Sequence, residues 1–115
     1  MSSRRTERVS HSIRDVLADL LRREVKDPRV ATVTVSKVEV TPDLRYARVF
    51  FSCLGEPERR DSARRGLESA AGLLRGQISR QLHLRYAPEL RFVVDDSYEH
   101  AEHISALLRT PEPGE

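Results

Sequence analysis

At 115 residues, with 38% hydrophobic and 33% charged content, the chain suits one folded domain and leaves little room for a second. Its single cysteine, Cys53, excludes an internal disulfide, and no apolar run approaches the ~20 residues of a bilayer-spanning helix. Net charge is only +2, yet residues 1–91 carry 19 of the 20 basic side chains against 12 acids, while residues 92–115 carry Arg109 against six acids. A basic body with an acidic end points to an anionic partner for the body. Eighteen of the twenty cations are arginine, which suits phosphate recognition. No signal-peptide core follows the basic start Met1 to Arg5, so a cytoplasmic location is expected.

In chain order, residues 1–5 read as a loose basic arm. Val9, Ile13, Val16, Leu17, Leu20 and Leu21 then form one stripe of a first helix, capped by Thr6 or Ser10 and ended by Asp27-Pro28. Val30 to Val40 reads as a strand whose phase slips at Ser36-Lys37, the mark of a bulge. Thr41-Pro42-Asp43-Leu44 is a turn. Arg45 to Cys53 is a second strand with Ala47, Val49, Phe51 and Cys53 on one face and Tyr46, Arg48, Phe50 and Ser52 on the other. The short link makes the two strands antiparallel. After the loop at Gly55 to Glu58, Ala63, Leu67, Ala70, Ala71, Leu74 and Ile78 give the stripe of a long helix, interrupted by Gly66, Gly72 and Gly76 and therefore expected to bend. Glu89 to Asp95 is a third strand. Asp96 and Glu99 form a capping box for a short final helix, and 110–115 reads as a disordered tail. The order is α+β, α–β–β–α(bent)–β with a terminal helix, as one domain over 1–109: a three-stranded sheet with helices packed on one face.

The long helix carries the candidate site. On a helical wheel Arg65, Ser69, Gly72, Gly76 and Ser79 fall away from the apolar stripe, with Arg64 and Arg75 along one edge and Arg80 along the other. A strip of small residues fenced by guanidinium groups lets a phosphate backbone come close while arginine supplies charge and forked donors. The same glycines also suit a kink or a close helix crossing beside a solvated charged face, and wheel geometry leaves both readings open.

Four segments give the chain a resemblance to the bacterial ribosome-binding factor A family, over roughly residues 6–109. They are Glu24-Val25-Lys26-Asp27-Pro28-Arg29; Val33-Thr34-Val35 with Val38-Glu39-Val40-Thr41-Pro42-Asp43-Leu44; Ala70-Ala71-Gly72-Leu73-Leu74-Arg75; and Leu84-Arg85-Tyr86-Ala87-Pro88-Glu89-Leu90-Arg91-Phe92. The resemblance implies a KH-like fold of the bacterial (type II) topology, in which an Ala-x-Gly kink at Ala70-Ala71-Gly72 replaces the usual GXXG loop. It further implies a non-enzymatic factor, needing no cofactor, that binds the free 30S subunit and its 16S rRNA during late maturation and is linked to growth in the cold. With the kinked helix and nearby basic segments at the RNA, the expected contact residues are Arg8, Arg64, Arg65, Ala70, Ala71, Gly72, Arg75, Gly76, Arg80 and Arg85. The protein is expected to be monomeric, with no membrane and no small-molecule substrate as partner.

Other classes find less support. There is no Gly-rich phosphate loop after a strand and no nucleophile elbow, so no enzyme site emerges. His100 and His103, with Glu99 and Glu102, have the spacing for one face of a metal site but lack further ligands, and a solvated helix face accounts for them. Cys53 fits a small core residue. No recognition-helix pattern for duplex DNA is present. The alternative function is a small protein-interaction module whose arginines merely solubilise it.

Overall fold

The computed structural model describes residues 4–95. The expected final helix, its Asp96 cap, the His100/His103 pair and the tail lie outside the described residues, as do the first three residues of the expected basic arm.

Helix α1 spans Arg4–Arg23. Its stripe places Ile13, Leu17 and Leu20 in the core, with Val9, Val16 and Leu21 partly buried beside them. The helix starts earlier than expected: Arg4 and Arg5 are helical, and Thr6 is buried in the first turn. It also stops earlier, at Arg23. Arg22 and Arg23 there pair with Asp19 at 2.8 and 2.5 Å and place positive charge at the helix C-terminus. Asp27 caps a different element, the 3-10 turn Pro28–Val30, by accepting from the Arg29 backbone N–H at 2.9 Å. The same carboxylate takes three further contacts from the Arg29 guanidinium, two from Nε at 3.1 Å and one from Nη2 at 2.7 Å. The turn seats Val30 in the core, 3% exposed, so the first strand begins only at Val33.

Strands β1 (Val33–Val40) and β2 (Tyr46–Cys53) pair antiparallel, with the expected register shift between Val35 and Lys37. Ser36, inside the bulge, has a hydroxyl whose one proton lies between Asp95 Oδ2 at 2.5 Å and Phe50 O at 3.2 Å, which ties β1 to the end of the third strand. The connecting turn is held by Thr41, whose hydroxyl donates to Asp43 Oδ1 at 2.7 Å and accepts from Tyr46 N at 3.1 Å. Strand β3 (Glu89–Val94) lies parallel to β2, on the side away from β1, giving the order β1-β2-β3. A parallel neighbour needs a long crossover, and the helical segment between Cys53 and Glu89 supplies it.

That segment is two helices: α2 (Pro57–Ser69) and α3 (Ala71–Leu82), joined at Ala70. Ala70 has φ −89° and ψ −1°, well off the helical ψ of about −42°, and its N–H is shared between Gly66 O and Leu67 O at 3.1 Å each. The expected bend is therefore a break at an alanine, in the bridge region of backbone space, which does not require glycine. Ala63, Leu67, Leu74 and Ile78 are fully buried on both sides of it. With Ala47, Val49, Phe51 and Phe92 they form one core between the helices and one face of the sheet. Burying each large aliphatic or aromatic side chain contributes roughly 1.5–3 kcal/mol.

Candidate nucleic-acid interface

The helix break sorts the three glycines. Gly66 is buried, and a Cβ there would stand 2.9 Å from Val30 Cγ1 and 3.1 Å from Arg29 Cβ. Its lack of a side chain lets α2 pack on the Pro28–Val30 turn. Gly72 and Gly76 face open space, with nothing within 4 Å of an added Cβ. They bare the outer backbone of α3 just after Ala70 and Ala71, which are half-buried on its inner side. Leu73, left off the apolar stripe, is 46% exposed beside Gly72. Its absence from the stripe was the sequence signal for an outward leucine.

The expected arginines divide by surroundings. Arg64 and Arg65 are exposed on α2, and both lean on Asp61, at 2.9 and 2.8 Å. Exposed pairs of this kind are weak and exchange readily for a phosphate. Arg80 is exposed in the last turn of α3, with no carboxylate partner among the described residues. Arg75 is different. It is half-buried, and its Nε and Nη2 donate to Pro88 O at 3.0 Å and Ala87 O at 3.1 Å. It clamps the loop into β3, so it is not an unengaged edge of the strip.

Helix α3 ends at His83, whose left-handed backbone (φ 54°, ψ 44°) turns the chain into that loop. Here the loop meets the start of α1 and the β1–β2 turn. A groove of about 390 Å³ is lined by Arg5, Asp43, His83, Arg85 and Tyr86, among others. A second, of about 290 Å³, is lined by Arg5, Arg8, Leu82 and Leu84, among others. Arg5 belongs to both, so Arg8 and Arg85, far apart in sequence, share one basic end. Arg45 joins them: its guanidinium lies 5.7 Å from the Tyr86 ring centre, and that of Arg85 lies 5.6 Å away. The Asp43 carboxyl is held below the usual carboxylate range by the Thr41 hydroxyl and the Arg45 backbone N–H, so it stays charged within this end. Nothing in the sequence marks Arg5 as more than part of a basic arm, or Arg45 as more than a strand residue; their shared end is set by the fold.

The structure thus brings Ala70, Ala71, Gly72 and Gly76 together at the break, and Arg8 and Arg85 at the basic end. Arg64 and Arg65 sit on α2, on the other side of the break from Arg80. Among the described residues no cluster of His, Cys, Asp and Glu could hold a metal, and Cys53 lies half-buried with its Sγ 3.5 Å from Thr32 Oγ1. No helix among them is long and apolar enough to cross a membrane.

Comparison with known proteins places this geometry. The crystal structure of ribosome-binding factor A from Thermus thermophilus superposes with a TM-score of 0.69 at 25% identity, covering 77% of this chain and 94% of that one. A homology model of the Thermus thermophilus factor, fitted into the cryo-EM map of a complex between 30S and that factor, matches with a TM-score of 0.56 at 26% identity, over 74% and 93%. The shared fold is the expected KH-like one. In sequence, ribosome-binding factor A from Natranaerobius thermophilus is 44% identical over 115 residues, spanning 100% of this chain and 88% of its own. The family model described as ribosome-binding factor A matches residues 5–108, and with it the chain belongs to the ribosome-binding factor A family.

Proposed function

We propose that this protein is an assembly factor that binds the free small ribosomal subunit, contacts 16S rRNA during late maturation to aid its processing and folding, and leaves before translation. The observation that carries this reading is the bared backbone at Gly72 and Gly76, beside the helix break and between Arg65 and Arg80. A phosphate chain can approach that surface more closely than any helix face covered by side chains. Guanidinium groups on either side then supply the charge-assisted donors that RNA backbone takes. Family membership and the placing of the Thermus factor on a 30S map support the same partner. Gly72 and Gly76 form the close-approach surface, set by the break at Ala70 and Ala71 behind it and flanked by Arg64, Arg65 and Arg80. Arg8 and Arg85 extend it at the basic end, and Arg75 positions the loop that carries Arg85. The role is binding, with no bond made or broken by the protein and no cofactor required.

Sedimentation of the tagged protein through a gradient of cell lysate tests this. Co-migration with free small subunits and absence from translating ribosomes is the expected result, and Gly72→Leu should reduce it without unfolding the protein. Equal binding to translating ribosomes, or no subunit binding at all, overturns the reading. Full binding by Gly72→Leu at unchanged stability moves the interface away from the break.

A further inference from the structure

The helices cover one face of the sheet, and the opposite face carries the remaining aromatic groups of the strands. Register places its residues in rows. Arg48 stands between Glu39 and Arg91, Phe50 between Lys37 and Val93, and Tyr46 beside Glu89. Tyr46 is 43% exposed and Phe50 is half-buried, while Phe51 and Phe92 belong to the core on the other side. Cations interleave with the rings. Lys37 Nζ lies 4.8 Å from the Phe50 ring centre, the Arg48 guanidinium 5.9 Å from it, and that of Arg91 5.6 Å from the Tyr46 ring centre.

We infer that this open sheet face is a second RNA surface, a platform on which single-stranded RNA stacks its bases on Tyr46 and Phe50 while Lys37, Arg48 and Arg91 meet its phosphates. The inference rests on the RNA-binding reading above and adds the kind of RNA and the face that takes it. Charge and ring placement favour this occupant. Exposed aromatics are costly to leave in water, and alternation with cations is what an unpaired strand, with bases and phosphates in alternation, can use on both counts. Duplex RNA keeps its bases stacked inside and has no use for exposed rings. Two acids also sit on the face. Glu39 contacts Lys37 at 3.4 Å and Arg48 at 3.7 Å, and Glu89 contacts Arg91 at 3.3 Å. These pairs are exposed and loose, so a phosphate can replace either carboxylate. They also keep the face from gripping polyanions without regard to shape, which leaves the rings to set the preference for unpaired strands. The face lies across the sheet from α2 and α3, so single strand and helix break can engage different parts of one subunit together.

The test uses the full chain, a labelled oligouridine, a labelled RNA hairpin and purified small subunits. Tyr46→Ala and Phe50→Ala should each weaken oligouridine binding by about 5-fold to 100-fold, the range of one lost base stack. Tyr46→Phe should restore it, since the ring remains and only the hydroxyl is gone. The chain has three tyrosines and no tryptophan, so stacking should also quench wild-type tyrosine emission directly, whether or not a variant folds well. Wild-type affinity in both alanine variants, or an oligouridine that neither binds nor quenches, overturns the inference. If subunits still bind in that case, the assembly reading stands alone; if they do not, both fail. Loss of subunit binding by Tyr46→Ala with no oligouridine binding by the wild type would give the face to a ribosomal protein, and would likewise overturn it.

Discussion

Gly66, Gly72 and Gly76 are the same residue in one helical segment with opposite physical roles, and substitution separates them. At Gly66 an added methyl meets Val30 Cγ1 at 2.9 Å, and Val30 is held in the core at 3% exposure. Gly66→Ala should therefore destabilise by about 1–2 kcal/mol, an overpacking cost partly offset by the lower freedom of the unfolded chain. At Gly72 and Gly76 nothing opposes the methyl, and neither has a positive φ. Gly72→Ala and Gly76→Ala should each raise stability by about 0.4–1 kcal/mol. Thermal melting of the three variants checks both signs. A sequence shows that a glycine interrupts a helix pattern; it does not show whether the missing side chain would point at a neighbour or at solvent. Gly66 faces the Pro28–Val30 turn, which is brought in by a different part of the chain, so its role was not legible. The open side of Gly72 and Gly76 was legible, because both fall opposite the buried stripe.

At the scale of elements, patterns set by near neighbours were readable and those set by distant backbone were not. The β1–β2 pair follows from a short turn and a period-2 alternation, and the bulge at Ser36 from a slip in that alternation. Thr6 has the residue type of a cap, which points to a later start for α1, but it is buried in the first turn of a helix that begins at Arg4. Arg75 looked like one more exposed cation because its partners, the carbonyls of Ala87 and Pro88, carry no side-chain signature. Arg75→Ala should cost about 1–3 kcal/mol, the range for a buried acceptor losing a charged donor. Arg75→Lys should recover only part of this, since an ammonium cannot span both carbonyls as the fork does. Denaturant titration measures both. A pH effect belongs to the Pro28–Val30 turn. Hydrogen bonds from the Arg29 side chain, and then from its backbone N–H, hold the Asp27 carboxyl below its usual range. A depressed folded value means that its contribution is present above the ordinary carboxylate range and is lost as pH falls through the lowered value. Asp27→Asn should therefore flatten the acid limb of a stability–pH profile while lowering stability at neutral pH.

For the whole molecule, the basic side chains outside the acidic C-terminal stretch are the quantity that binding should reveal. Arg64, Arg65 and Arg80 flank the break, whereas Arg5, Arg8 and Arg85 gather where α3 ends. If both regions meet RNA, replacing one arginine from either should lower the slope of log affinity against log salt by roughly 0.7–0.9. Arg22→Gln and Arg23→Gln provide the control. Both residues pair with Asp19 at the other end of α1 and should leave the slope unchanged. Filter binding across a salt series gives the slopes, and unchanged slopes at Arg5 and Arg85 would confine the interface to the break.

The parallel placing of β3 beside β2 also bears on how the chain is made. Synthesis delivers α1, β1 and β2 first, yet Ile13, Leu17 and Phe51 are buried only with Leu67, Leu74, Ile78 and Phe92 in place. The first half emerges with an uncovered apolar surface and no strand to close its sheet edge. Contacts so distant along the chain form late, because a long loop must close before they repay its entropy. Nascent chains stalled before Phe92 has emerged should be cut readily by protease, and those extended past Val94 should become resistant in one step. The last short strand would then decide when the protein becomes a folded body at all.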